Sequence, residues 1–363
     1  MTLRLVFIHL GEAKADHLWA NIENILQSSS DYKIDVITSK PLDDAPSDNP
    51  RLSFYVYHSD IFLSSVLDKA TIDPKFRSGF WRFSLERLFA LTAHHQNYPA
   101  ASLLHIESDI LLLPNFPFHI FDKLEKPAWL KQDKDRDIAA ILYIPNIGKS
   151  NWLLKKMLQE IEGKKQINDM LLLSAISTKF PESVTILPSI SQQDSGLINK
   201  SYQMSSKIKS QISSNFATFD GIFDPAALGI WLTGNDPRNA FGVTRKFDTH
   251  SLLNGGTFVD PSKTIFSFSE SEGLTVLDNG KRVRIYNLHV HSKNQKLFKN
   301  GWEKVLLKIV EASGKSRIKR TFSLRILLQL VNANHKNGTL LRFLSWLPFV
   351  APLRKFGAKF KNL

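Results

Sequence analysis

Leu103-Leu104-His105-Ile106-Glu107-Ser108-Asp109-Ile110-Leu111-Leu112-Leu113 reads as one buried strand whose far end carries two carboxylates at i and i+2. Uninterrupted apolar runs of this kind suit the interior of a parallel sheet, where helices cover both faces. Side chains alternate faces along a strand, so Glu107 and Asp109 are expected on one side together with His105. Two acids in such a run are costly unless a cation or strong donors hold them. An acid-x-acid pair at the carboxyl end of a central strand stands where open α/β sheets place their ligands. A divalent metal carrying a diphosphate is the simplest occupant. The structural alternative is a pair that caps the following turn or binds a nearby arginine.

Working outward, strand-like runs fall near residues 3–9, 33–38, 52–57, 102–106, 138–144 and 283–290. Helical patterns lie between several of them, near 16–28, 60–70, 80–96, 150–163 and 167–178. That alternation predicts βαβ units and a mostly parallel central sheet flanked by helices. Lys40 to Pro50 reads as a surface loop, and Gln192 to Ser214, rich in Ser and Lys, as an exposed connection. The parts before and after about residue 200 are expected to share one sheet. In the helix at 80–96, Trp81, Leu85, Leu88 and Thr92 form the expected buried stripe. Arg82 and Glu86, four apart, are placed to pair. Arg87 lies beside the stripe, where its planar fork can serve either a phosphate or a local carboxylate.

Composition narrows the function classes. The 363 residues suffice for one large α/β domain or two smaller ones, and 43% hydrophobic with 22% charged residues is ordinary globular usage. Cysteine is absent, which excludes disulfides, thiolate metal sites and a cysteine nucleophile, and agrees with a reducing compartment. The amino end, Leu3 to Leu10, has an apolar run too short for a signal peptide. The net charge is +13, yet the last 52 residues, 312–363, hold eleven Lys and Arg and no acid. The first 311 residues are therefore nearly neutral, and no nucleic-acid partner is expected. Phe322 to Val331 suits an amphipathic helix, and Leu340 to Val350 adds aromatic and aliphatic surface before Arg354, Lys355, Lys359 and Lys361. The expectation is a catalytic domain over 1–311 and a basic amphipathic helical C-terminal tail over 312–363. Such a tail can lie on an anionic membrane surface, which would make the protein cytoplasmic and peripheral on the inner face of the membrane.

A second chemical cluster is Tyr286-Asn287-Leu288-His289-Val290-His291-Ser292-Lys293-Asn294-Gln295-Lys296. In a strand His289 and His291 share a face, and imidazole with carboxylate suits a manganese-like cation. Lys293 and Lys296 follow closely enough to neutralise a leaving diphosphate. Between the clusters, Phe219 to Asn239 is dense in Asp, Gly, Pro and Asn and predicts turns around a short helix carrying Ala227 and Trp231. Asp224, Asp236 and Arg238 are its candidate site residues.

The acid-x-acid pair, the helix Ser84-Leu85-Glu86-Arg87-Leu88 and the late His-x-His-Ser-Lys strand together resemble a GT-A-fold nucleotide-sugar glycosyltransferase. The resemblance spans about residues 1 to 300 and implies a Rossmann-type sheet. It implies that Glu107-Ser108-Asp109 holds Mn²⁺ or Mg²⁺ on the donor diphosphate, with Glu in place of the commoner first Asp. Glycogenin-like members carry a Ser-x-x-Arg-Leu helix before that motif, which Ser84 to Leu88 matches. They also supply a late His to the metal and a Lys to the phosphates, here His289 or His291 and Lys293 or Lys296. The longer His-x-x-Gly-x-x-Lys-Pro-Trp pattern is not present. Asn168-Asp169-Met170 resembles the acidic position that contacts the transferred or accepting sugar. The donor-binding set implied is His9, Arg87, Glu107, Ser108, Arg238, Lys293 and Lys296, and the metal set Glu107, Asp109, His289 and His291. If configuration inverts, Asp169, Asp224 or Asp236 would take the acceptor hydroxyl's proton. The partners implied are a nucleotide-sugar donor and a glycan or lipid-linked acceptor, as in cell-surface polysaccharide or lipopolysaccharide synthesis. Two other readings are a metal-dependent phosphoesterase or nucleotidyltransferase, and a non-catalytic membrane adaptor on an inactive α/β body.

Overall fold

The computed structural model describes residues 2–11, 16–28, 32–41, 49–73, 75–162, 166–238, 246–248 and 257–315. Its strands are β1 Leu3–His9, β2 Lys33–Thr38, β3 Leu52–Val56, β4 Ser102–Ile106, β5 Ile110–Leu112, β6 Ala128–Lys131, β7 Asp137–Ile144, β8 Thr185–Ile186, β9 Phe266–Ser269, β10 Gly273–Asp278, β11 Lys281–Ile285 and β12 Asn287–His289. The helices are α1 Asp16–Ser28, α2 Ile61–Ala70, α3 Phe80–His95, α4 Phe118–Phe121, α5 Ile147–Glu162, α6 Asp169–Lys179, α7 Ser206–Gln211, α8 Phe216–Phe219 and α9 Ala227–Thr233, followed by Trp302–Lys315. This last helix runs across residues 311 and 312, and the tail beyond Lys315 lies outside the described residues. The same is true of residues 42–48 in the loop expected between Lys40 and Pro50.

Seven strands form the main sheet in the order β3-β2-β1-β4-β7-β6-β8. β3, β2, β1 and β4 run parallel, β7 is antiparallel to both β4 and β6, and β6 and β8 are parallel again. The mixed α/β fold with a mostly parallel sheet is the one the alternation of elements predicts. The strongest strands are continuous apolar runs because both faces are covered: every residue of β4 and β7 is buried. One face packs on α3, α5 and α6 through Leu85, Leu88, Leu153, Met157 and Leu172. The other packs on Leu18, Ile22 and Ile25 of α1 and on an aromatic group of Phe121, Phe219, Phe223 and Tyr286. Each fully buried side chain of this size contributes roughly 1.5–3 kcal/mol. In the predicted stripe of α3, Leu85, Leu88 and Thr92 are buried and Trp81 is half-buried.

Three sequence expectations need correction. The run 103–113 is two strands, not one. Ile110 N–H bonds back to the Glu107 carbonyl at 3.0 Å, and this turn breaks the period-2 alternation. β5 then leaves the main sheet to pair antiparallel with β12. The acids therefore lie in a turn between two sheets, while both flanking strands stay buried and keep the sequence apolar. Second, the main sheet takes all its strands from the first 186 residues. The later chain joins through the β5–β12 pair and through core contacts, with a separate antiparallel sheet β11-β10-β9. Third, 192–214 is not a loose connection. Asp278 accepts from Ser195 Oγ and Gly196 N–H, both at 2.7 Å, and Leu197, Asn199 and Ile212 are buried.

An ion-pair network under β1–β3 gives a stability prediction. Asp35 is fully buried and accepts from Arg4 Nε at 2.7 Å, Arg4 Nη2 at 2.5 Å and His94 Nε2 at 2.9 Å. Burial acts to raise its pKa, but the hydrogen bonds and charge of Arg4 and His94 outweigh it and hold the carboxyl below its ordinary range. Its stabilising contribution is therefore present above the unfolded pKa and lost as pH falls through the lower folded value. Asp35→Asn leaves half-buried Arg4 without its counter-charge and is expected to cost about 3 kcal/mol in urea unfolding at pH 7. The gap to the unsubstituted protein should close progressively below about pH 4. A difference independent of pH would show that the carboxylate's charge is not what stabilises this region.

Candidate metal and donor site

The turn after β4 and the end of β12 converge. Glu107, Asp109 and His289 each offer one ligand atom, and these atoms lie within 4.8 Å of one another. His289 Nε2 is 3.3 Å from Asp109 Oδ2 and 3.6 Å from Glu107 Oε2. Register brings them together, since His289 pairs with Ile110 across the β5–β12 ladder and Val290 N–H bonds the Asp109 carbonyl at 2.9 Å.

His289 is oriented from behind. Its Nδ1–H donates to the Pro225 carbonyl at 2.8 Å, which turns Nε2 toward the acids. Fixing one ring nitrogen on a carbonyl in this way is how proteins aim the other at a metal. Asp224 holds the same strand: it accepts from the N–H groups of Leu228 at 2.9 Å, Gly229 at 2.7 Å and His289 at 3.0 Å. Burial pushes the Asp224 carboxyl up, and those three donors work against the rise. A fully buried carboxylate occupied by backbone donors is a structural pin, not an open base, so the expectation that Asp224 takes a substrate proton is corrected.

Arg87 bridges two acids. Its Nη2 lies 2.5 Å from Glu107 Oε1 and 3.0 Å from Asp169 Oδ2. Desolvation disfavours its charge, but Glu107 and Asp169 outweigh that and raise its pKa. Of the two sequence readings for Arg87, the carboxylate partner is the one formed. Asp169, at the start of α6 behind the N-cap Asn168, is buried and shifted up by that burial, with Arg87 opposing. Beneath them His105 donates Nδ1–H to the Val6 carbonyl at 2.9 Å, and burial with the charge of Arg87 lowers its pKa to about 3. It is a neutral support for the floor of the site, not a ligand.

Lys293, in left-handed backbone (φ 53°), turns its ammonium onto Asp109 Oδ2. Burial would raise the Asp109 pKa, but Lys293 and His289 hold the carboxyl well below its usual range. The His289 imidazole, though opposed by burial, is raised to about 9 by Asp109 and Glu107. Two cations thus neutralise the acids. Nearby, Asp236 receives Arg238 Nη2 at 2.8 Å and Arg77 Nη1 at 3.4 Å. Burial alone would raise its pKa, but Arg238 lowers it, with a further contribution from Lys293. Asp236 clamps two guanidiniums and stands as their anchor. Arg238, half exposed, is the more available group, and the charge of Asp109 reaches it.

The remaining expected residues do not join the group of ligand atoms. His291 stacks on His289 with ring centroids 4.0 Å apart, and burial and the neighbouring His289 push its pKa well down. It lies outside the group of ligand atoms, which His289 joins. Lys296 is exposed and follows Asn294, whose Oδ1 accepts its N–H at 3.3 Å. His9 closes β1 opposite Thr38 at the same end of the sheet. Ser108 Oγ bonds His17 Nε2 at 3.1 Å, so it faces α1.

Sequence reasoning missed the residues that hold the turn. Asn21 Nδ2 donates to the Ile110 carbonyl at 2.7 Å and the Ser108 carbonyl at 3.3 Å. Its signal was available: a buried Asn beside the stripe of Leu18, Ile22 and Ile25 needs polar partners. His17 and Arg77 carried no comparable signal.

No protein-family model matches this sequence, and no curated protein matches it. Among solved structures it is similar to the galactosyltransferase LgtC in complex with donor and acceptor sugar analogs, with a TM-score of 0.40 and 11% identity over 90% of this chain and 99% of that one. The WbbM bifunctional glycosyltransferase gives a TM-score of 0.37 and 13% identity over 60% of this chain and 44% of that one. The glycosyltransferase GlyE of Streptococcus pneumoniae TIGR4 gives 0.34 and 12% identity over 50% of this chain and 44% of that one. This chain thus spans less than half the length of WbbM and of GlyE. The functional reading rests on the geometry of the site itself.

Proposed function

We propose that this protein is a glycosyltransferase that uses a divalent metal, Mn²⁺ or Mg²⁺, and a nucleotide-diphosphate sugar. One observation carries the reading: two acids from the β4–β5 turn meet the Nε2 of an imidazole whose Nδ1 is already committed. Two carboxylates and one oriented imidazole are a donor set suited to such an ion, and Lys293 beside them marks the same place as a cation site. A divalent ion held there supplies charge stabilisation to the departing diphosphate.

The chain's own residues account for the rest. Lys293 and Arg238 add positive charge beside Asp109 and Asp236, on the side where a diphosphate would gain negative charge. Arg87 fixes the Glu107 carboxylate through one guanidinium nitrogen and shares that nitrogen with Asp169. Among the three proposed proton acceptors, Asp224 is taken by backbone donors and Asp236 by two arginines. We assign the role to Asp169, which Arg87 ties to Glu107 of the triad through a shared guanidinium nitrogen. A two-metal phosphoesterase needs a second group of ligands, and the described residues contain one such group.

The acceptor is proposed to be a glycan or a lipid-linked sugar presented at an anionic membrane surface. The support is the acid-free basic stretch 312–363, and on the same ground we propose a peripheral position on the cytoplasmic face. Among the described residues, no helix is long and apolar enough to cross a membrane.

The test is thermal unfolding with UDP-, GDP-, CMP- and ADP-sugars, each with and without Mn²⁺. One donor should raise the midpoint by several degrees only when the metal is present. A ligand at 100 times its dissociation constant adds about 2.7 kcal/mol. Equal stabilisation by a donor with and without metal would remove the metal from the mechanism. No response to any donor would remove the donor class.

A further inference from the structure

Ile61 and Phe62, at the start of α2, are 90% and 72% exposed. They stand at the carboxyl ends of the parallel strands, because α2 follows β3 directly. Val56, which ends β3, is 47% exposed, and Phe80, which opens α3, is 39% exposed. The starts of α2 and α3 are tied together by Arg82, which reaches Ser64 Oγ at 3.2 Å and Asp68 Oδ1 at 2.8 Å. At the start of α3, Trp81 stacks on Phe76 at 5.6 Å between centroids and meets Phe80 edge-on at 4.9 Å.

The same rim carries the metal triad, since β4 is parallel to β1 and the Glu107 turn follows its carboxyl end. Arg77, in the turn between α2 and α3, reaches Asp236 beside the site. We infer that Ile61 and Phe62 form a wedge that enters the hydrocarbon edge of a lipid bilayer and sets the mouth of the site against the membrane. This rests on the lipid-linked acceptor proposed above and names the surface that would meet it.

The tip itself is close to neutral, so attraction to an anionic bilayer falls to the basic stretch 312–363. The acids around the tip are held by the protein itself: Asp60 caps α2 through Leu63 N–H at 2.7 Å, Asp68 receives Arg82, and Asp73 accepts from Lys75 N–H and Phe76 N–H. Lys69 and Lys75 are exposed and form no ion pair among the described residues. The surface presented outward is therefore apolar, with Lys69 and Lys75 and the exposed acids Asp60 and Asp73 around it. Shape favours lipid over protein. Side chains this fully exposed stand clear of their surroundings, and a protein partner would need a pocket moulded to them, whereas hydrocarbon needs none. Two such side chains give only weak, reversible partition and require a second attachment. The eleven basic residues of 312–363 supply one.

The sequence has no cysteine, so Phe62→Cys in the full chain provides a unique thiol for an environment-sensitive fluorophore. Lys155→Cys, exposed on α5, is the control. With vesicles of phosphatidylcholine containing one-third phosphatidylglycerol, the probe at 62 should shift to the blue, brighten severalfold and be quenched by spin-labelled lipid, while the probe at 155 stays unchanged. The unlabelled double variant Ile61→Ser/Phe62→Ser should lower the vesicle-bound fraction severalfold and keep transfer to a soluble acceptor. Vesicle binding without a response at 62 overturns the wedge and leaves the tail as the attachment. A response at 62 that depends on protein concentration without lipid overturns it in favour of a second copy of the chain. A protein that transfers no sugar but passes the vesicle test has lost its proposed activity and kept its membrane surface, so the two failures are distinguishable.

Discussion

Asp109→Asn is expected to abolish the response to Mn²⁺ and to lower sugar transfer on the order of 10²–10³-fold or more, the range seen when one charge-stabilising group is removed from an active site. The substitution keeps the shape of the side chain and removes its charge. Asp109 is the acid on which both Lys293 and His289 converge, so its carboxylate is the centre of the local field. Asparagine can still accept one hydrogen bond, but it cannot draw a divalent ion between His289 and Glu107. Glu107→Gln should have the milder effect on binding, because Arg87 keeps that side chain in place through Oε1. Titration calorimetry with Mn²⁺ and a transfer assay with the donor found by thermal unfolding test this directly. If Asp109→Asn binds Mn²⁺ like the unsubstituted protein, the triad is not the metal site.

Lys293 sets the sign of a companion effect. Its ammonium occupies the carboxylate that a metal would use, so the two cations compete for Asp109. Lys293→Gln should tighten Mn²⁺ binding in the absence of donor and weaken the donor-dependent part of the stabilisation. Partly buried charge pairs of this kind are worth on the order of 1–3 kcal/mol, or about ten- to a hundredfold in binding. Weaker Mn²⁺ binding in Lys293→Gln would show that the lysine supports the ion instead of competing with it.

The acid pair, the late imidazoles and the helix bearing Arg87 were legible because each is a chemical exception within an apolar or periodic run. Burial of β4 and β5 makes 103–113 continuous in hydrophobicity, and that same continuity concealed the turn at 107–109. Period-2 reasoning therefore assigned the acids to a strand face, while their convergence depends on a change of sheet. The long-range half of the site was not legible. Nothing local to Asp224 distinguishes a base from a pin, because the difference lies in whether distant N–H groups of β12 and near ones of α9 arrive at its oxygens. Asp-Gly and Asn-Asp-Pro turns gave the right local geometry at 220–237 and no information on which arginines would arrive at Asp236. Residues 192–214 were misread for a related reason. Their Ser-rich composition resembles an exposed connection, and only Asp278, more than sixty positions downstream, turns those hydroxyls into anchors.

Gly229→Ala should cost about 3 kcal/mol of stability, the upper end of ordinary overpacking, and should weaken Mn²⁺ binding on the order of 10–100-fold. The two helix effects oppose each other. Alanine is the better helix former by about 1 kcal/mol, so in open space the change would stabilise α9. Gly229 does not face open space. A Cβ there would lie 1.9 Å from the His289 carbonyl oxygen, 2.7 Å from its carbonyl carbon and 3.0 Å from Asp224 Oδ2. The obstacle is backbone, which cannot swing aside as a flexible side chain can, so α9 and β12 must separate. Separation loosens the bonds from Gly229 and His289 N–H to Asp224 and the bond from His289 Nδ1 to Pro225. Those contacts aim Nε2 at the acids, so a methyl group on the far side of the strand should be felt at the metal. Urea unfolding measures the first effect, and Mn²⁺ titration well below the midpoint measures the second on folded protein. If Gly229→Ala loses stability yet binds metal normally, His289 is seated by its β5 pairing alone and the α9 contact serves only the fold.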